Sequence, residues 1–202
     1  MDNMSVIAML AIRKNNMSDF FDDTNYQVPE KASGYMKFKN GENRIRILGT
    51  FSEGTAIKGW EYWVTKEDGT RMPVRKRMDE KISLGDIEEN EKVKHFWALP
   101  VWNYQEEQVQ ILEITQKSIQ KAITALAKDK DWGSPTKYDI VITRSGEKLE
   151  TEYQIQPKPA KDASVEILGA YRHMSIDVSQ LFLGEDPFKE TREEVNPDDV
   201  PL

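Results

Sequence analysis

The sequence contains no cysteine and only two histidines, His95 and His173. Disulfides and thiolate-bound metals are therefore excluded, and no His/Asp/Glu spacing resembles a metal cage. No apolar run approaches the ~18–20 residues needed to cross a bilayer. The longest, residues 6–12, follows Asp2 and precedes Arg13 and Lys14. That reverses the charge order of a secretory signal, so the expected compartment is the cytosol. A glycine-rich phosphate loop is also missing; Asp68-Gly69 and Ser145-Gly146 read as simple turns. Carboxylates are plentiful, but none falls in a metal-nuclease spacing with a partnering lysine. His95 sits mid-strand and reads as structural, and His173 has no nucleophile to serve. No enzymatic activity, cofactor or metal is expected.

What is present fits one domain with a real core plus polar ends: 202 residues, 38% hydrophobic and 31% charged. The net charge of −7 argues against a polyanionic partner until its distribution is considered. Residues 1–34 sum to −2, residues 35–82 to +4, residues 83–184 to −4 and residues 185–202 to −5. Local fields, not the total, decide where a polyanion binds. The one positive segment is also rich in aromatic residues.

Residues 1–33 show no sustained period and read as a flexible arm; Met17 offers an alternative start that would make residues 1–16 an upstream extension. Residues 44–49 alternate, which predicts a strand with Ile45 and Ile47 inward and Arg44 and Arg46 outward. Residues 60–66 and 72–75 predict a hairpin around Asp68-Gly69. Residues 76–93 form a loop, and residues 94–104 and 108–114 pair as a second hairpin. Thr115 is a plausible N-cap for an amphipathic helix over Ile119, Ala122, Ile123, Leu126 and Ala127, stopped by Gly133 and Pro135. Two more strands follow at 138–144 and 151–156, and residues 163–183 hold a short helical finish. Three strand units, one helix and two strands is the order of a mainly β, OB-type five-stranded Greek-key barrel, here with an extra hairpin. The expected domain is 34–184, and residues 185–202 form an acidic, disordered tail.

Two residue groups carry the chemistry. In the first, Trp60, Tyr62 and Trp63 share a strand flanked by Lys58 and by Arg75, Lys76 and Arg77, while Trp97, Trp102 and Tyr104 lie on the strand after the loop. A nucleic-acid single strand needs cations along its phosphates and flat faces for its unstacked bases, each stack being worth ~1–3 kcal/mol whatever the base. Because the rings point to both sides of their strands, and both sides cannot be barrel interior, some must be available outside the core. Arg44 and Arg46 extend the cationic set. The second group is the C-terminal Asp198, Asp199, Val200, Pro201 and Leu202, whose two carboxylates, apolar end and free carboxylate suit a partner with a basic rim and an apolar pocket.

Trp97, Asn103-Tyr104 and the run from Gln110 to Lys117 resemble the single-stranded DNA-binding proteins of tailed phages. So do the run from Trp132 to Arg144, Gly59-Trp60-Glu61-Tyr62-Trp63 and Leu149-Glu150-Thr151-Glu152-Tyr153. The resemblance covers about residues 34–188. It implies an OB barrel that coats single strands in phage replication and recombination, in the cytoplasm of an infected bacterium. It also implies that Trp60, Tyr62, Trp63, Trp97, Tyr104 and Arg144 line or support the groove. The final Asp-Asp-Val-Pro-Leu resembles the Asp-Asp-Ile-Pro-Phe ending of bacterial single-strand binding proteins, where the tail docks replication and repair enzymes; this chain ends in Leu. Some phage members hold a structural zinc, which the lack of cysteine removes here. The residues alone leave three alternatives open: an RNA-binding OB module, a protein-interaction adaptor with no nucleic-acid partner, and a nuclease accessory domain.

Overall fold

The computed structural model describes residues 34–188. The expected N-terminal arm, 1–33, and the terminal Asp198, Asp199, Val200, Pro201 and Leu202 lie outside them.

The described residues form a mainly β fold of eight strands and two helices. In chain order these are β1 (Tyr35–Met36), β2 (Gly41–Ile47), β3 (Ile57–Thr65), β4 (Arg71–Arg77), β5 (Lys94–Asn103) and β6 (Gln108–Ile114). Then come α1 (Lys117–Lys128), β7 (Asp139–Ser145), β8 (Glu152–Pro157) and α2 (Val165–His173). The strands join in the order β1-β6-β5-β2-β7-β8, with the β3–β4 hairpin branching from β5. All pairs are antiparallel except β1 with β6. The sheet does not close on itself, because β8 pairs only with β7. The β3–β4 turn falls at Asp68-Gly69, where Gly69 takes φ +81°, a conformation open to glycine without strain.

β5 organises the sheet. Ile57 to Glu61 of β3 pair with its first half, Lys94 to Ala98, and β2 pairs with its end, Val101 to Asn103. Alternation sends Trp97, Leu99 and Val101 to one face, where they meet Ile45, Ile47, Leu112, Ile114, Ile140 and Ile142. α1 closes that face with Ile119 and Ile123. Phe96, Ala98 and Trp102 point the other way and are also buried. They are covered by the chain after β8: Val178 and Leu181 lie over Phe96, and Ile167 of α2 lies over Trp102. Each such side chain removed from water contributes about 1.5–3 kcal/mol. The expectation that only one side of these strands could be interior is corrected here, because residues 163–188 build a second core on the outer face.

Other departures are local. α1 is capped by Gln116, without a side-chain cap bond, rather than by Thr115, and it ends at Lys128, ahead of Gly133. The short helical finish is α2, a second helix, capped by Ser164 Oγ accepting from the Ile167 amide at 3.3 Å. Ordered packing continues past residue 185: the Phe188 ring stands edge-on to Tyr35 at 5.6 Å, and the Asp177 amide donates to the Pro187 carbonyl at 3.0 Å.

Arg46 is the largest correction. It faces away from Ile45 and Ile47 as expected, yet it is 2% exposed. The chain after β8 crosses that face, and the Lys161 carbonyl accepts from Arg46 Nη1 at 2.7 Å. Asp139, on the neighbouring β7, takes Arg46 Nε on its Oδ1 at 2.6 Å. The same carboxylate takes Arg44 Nη2 on Oδ2 at 2.5 Å and the Tyr104 hydroxyl on Oδ1 at 3.1 Å.

A buried guanidinium that loses its partner costs about 3–5 kcal/mol. Asp139→Asn should therefore lower unfolding stability by about that amount in urea titration, whereas Arg44→Ala, at the half-exposed end of the same carboxylate, should cost about 1 kcal/mol. A loss below about 1 kcal/mol for Asp139→Asn would show that Arg46 is satisfied without it.

Candidate nucleic-acid interface

The cationic residues expected to meet phosphate are mostly committed to carboxylates. Arg75 is 9% exposed and bridges Glu61 at 3.0 Å and Glu113 at 2.8 Å. Lys76 and Arg77 both face Glu80, at 3.7 and 4.0 Å. Arg77 also lies 4.7 Å over the Phe182 ring. Arg44 stacks on Tyr104 at 4.3 Å while paired with Asp139. Burial, and the Asp139 charge next, hold the Tyr104 phenol above its ordinary range. Strand pairing brought Arg44 and Arg75 next to acids that the linear order does not reveal, whereas Glu80 lies only three and four residues beyond Arg77 and Lys76.

The expected rings divide three ways. Tyr62, Trp97 and Trp102 are buried, 3%, 7% and 8% exposed, and belong to the interior, although Trp97 also borders the groove beside α1. Trp63 and Arg144 line a cleft of about 650 Å³ at the open seam of the sheet, with Tyr35, Phe38 and Tyr153. There Arg144 donates weakly to the Phe38 carbonyl at 3.3 Å. This cleft also holds Glu113, whose carboxyl is pushed up by burial against the opposing pull of Arg75. Its deepest cation, Arg75, is thus already neutralised.

Trp60, Trp97 and Lys58 lie on the opposite side, and there the structure adds residues that the linear pattern did not single out. β3 and β5 run side by side with Trp60 opposite His95 and Lys58 opposite Trp97. The rings form a row: Trp60 to His95 at 5.4 Å, His95 to Trp97 at 6.4 Å, and Trp97 to Phe51 at 5.4 Å. Gln120 of α1 fixes the middle of that row. Its Nε2 donates to the carbonyls of Ile114 at 2.8 Å and His95 at 3.0 Å, which leaves Oε1 to accept from His95 Nδ1 at 3.2 Å.

Facing the rings is α1, whose apolar side is spent on the core. Lys117, Lys121 and Lys128 share its outer side, and with Trp60, His95 and Trp97 they line a groove of about 650 Å³. The groove continues into a chamber of about 440 Å³ that shares His95, Trp97, Thr124 and Lys128 and adds Phe51 and Lys58. No carboxylate lines either space. Among the described residues, Lys58, Lys117, Lys121 and Lys128 form no ion pair; Lys58 lies 5.3 Å over the Phe51 ring. A row of rings facing four unneutralised ammonium groups attracts an anion that also carries flat apolar surfaces. One signal for it was visible in the sequence: α1 carries Lys117, Lys121 and Lys128 and no Asp or Glu, in a chain that is acidic overall.

Among known proteins, the chain is 23% identical over 155 residues to a probable ssDNA-binding protein of Escherichia phage T5. The match covers 66% of this chain and 58% of that relative, so the chain spans less than two thirds of the relative's length. No protein-family model matches the chain, and no solved structure matches it.

Iodide, an anion drawn to the lysines, should quench Trp60 more than the interior tryptophans. Trp60→Phe should therefore remove much of the iodide-quenchable fluorescence, and Trp102→Phe should leave it in place. The difference should shrink with salt as the lysine field is screened over ~10 Å at 0.1 M. Equal losses from both variants would place the ring and cation row out of solvent reach.

Proposed function

We propose that this protein binds single-stranded DNA without regard to sequence, as a coat protein rather than an enzyme. The observation that carries this reading is the groove beside α1, where Trp60, His95 and Trp97 face Lys117, Lys121 and Lys128 with no carboxylate between them. Phosphates run along the lysines and bases lie against the rings. Neither interaction reads base identity, because every base has a π-face and every nucleotide a phosphate. The printed name of the phage T5 relative supports the same reading.

The fold is read as an OB-type barrel left open at one seam. Along β6-β5-β2-β7-β8 there are five strands, with α1 between the third and fourth in chain order and the β3–β4 hairpin inserted after the first. Such barrels are Greek-key and partly open. The setting would be phage DNA replication, recombination and repair in the host cytoplasm. The residues Asp198, Asp199, Val200, Pro201 and Leu202 would recruit other replication or recombination proteins, the terminal leucine entering an apolar pocket.

Salt dependence tests the groove. On a single strand each neutralised phosphate contributes about 0.7 to the slope of log affinity against log salt. Replacing Lys117, Lys121 and Lys128 together by Ala should flatten that slope by about 2 and weaken all sequences alike. Lys76→Ala with Arg77→Ala, which removes cations already facing Glu80, should leave it nearly as it was. A helix triple variant with the wild-type slope would remove this groove from consideration.

The acidic end is tested by deletion. Residues 189–202 carry five acidic and two basic side chains. Tethered to the domain, they compete with DNA for the lysines at an effective concentration that dilution does not change. Removing them, and sparing Phe188, should tighten binding at low salt and matter less as salt rises. Weaker binding after the deletion would assign the tail a supporting role instead.

A further inference from the structure

The groove holds phosphates and rings in the open, but the chamber behind it is of another character. Its walls are mostly apolar: Phe51, Met78, Leu99, Ile123, Ala127 and Pro135. At about 440 Å³ it lies within the range of small-ligand sites, roughly 300–1,000 Å³. Lys58 and Lys128 line the same space. Polar side chains interrupt the apolar wall, among them Thr50, His95 and Thr124 and the hydroxyls of Ser134 and Thr136. Ser134 Oγ and Thr136 Oγ1 lie 2.9 Å apart, and either hydroxyl can be the donor of that bond. Trp97 is 7% exposed, and its indole N–H is covered without a hydrogen-bond acceptor.

Resting on the proposed binding of single strands, we propose that this chamber receives one nucleobase of the bound strand, turned out of the row along the groove. A base has the required chemistry: two apolar faces for the walls and a polar edge for the hydroxyl pair. The two lysines hold phosphate beside the chamber while the base enters, so the charge stays on the wet side and the ring on the dry side. The Ser134–Thr136 pair can present a donor or an acceptor by rotating its protons, so the edge of any base is met. The site therefore adds base dependence without sequence preference.

The experiment compares short oligo-dT with an abasic deoxyribose-phosphate strand of equal length. The readout is the ratio of the two affinities, measured on the full chain. Wild type should favour oligo-dT at least tenfold. Ala127→Phe places a ring in the chamber from an exposed helix position and should lower that ratio at least fivefold. Ala127→Leu should lower it in the same direction, and serves should the larger side chain disturb the helix. Lys121→Ala should weaken both strands and leave the ratio as in wild type. An unchanged ratio in both Ala127 variants, with binding intact, overturns the base chamber and leaves the groove standing. Failure of wild type to bind either strand would instead remove the single-strand reading itself.

Discussion

A guanidinium taken out of water must bring a counter-charge with it, and in this fold that requirement decides which cations are left for a ligand. Arg46 is buried where the chain after β8 crosses β2, and Asp139 on the adjacent strand neutralises it. Arg75 is buried between Glu61, its partner across the β3–β4 ladder, and Glu113 of β6. Both arginines belong to the framework. Lysines 117, 121 and 128 sit on a helix that has no acids and is backed by a core, so they remain unneutralised. An acidic protein can in this way keep one positive groove.

The second organising element is β5. Its two faces feed two cores, with Trp97 and its neighbours under α1 and with Phe96 and Trp102 under the segment that ends in α2 and Phe188. That segment carries the ordered fold beyond the five-strand plan. It also explains why an aromatic strand yields few open rings. Trp102 became packing, Trp97 became a wall shared by groove and chamber, and only on β3 does a tryptophan, Trp60, stay partly exposed beside the lysines.

These two constraints act on the same place. The hairpin β3–β4 extends β5 and brings Lys58 and Trp60 alongside Trp97 and His95; α1, held to β5 through Gln120, faces them. The groove is thus built from three elements whose mutual positions are set by core packing on one side and by side-chain to backbone hydrogen bonds on the other. Rigid elements of this sort present rings and cations at fixed spacing, which lowers the entropy lost on binding.

Much of this was legible in the sequence. Period-2 alternation located β2, turn residues flanking apolar and β-branched runs located β3 to β8 to within a few residues, and the 3.6-residue repeat located α1, because these patterns are local to each segment. The combination of Trp60 and Lys58 on one strand was legible for the same reason. What stayed hidden depends on neighbours distant in the chain. Asp139 is 93 residues from Arg46, and Glu113 is on another strand from Arg75. Nor does any local pattern say that residues 163–188 return to cover the outer face of β5, or that three lysines of α1 come to lie opposite Trp60. The amino-acid sequence by itself determined the elements and the types of side chain each could offer. The tertiary structure alone decided which charges were cancelled and which rings were covered, because pairing and burial are properties of contacts between segments and not of any one segment.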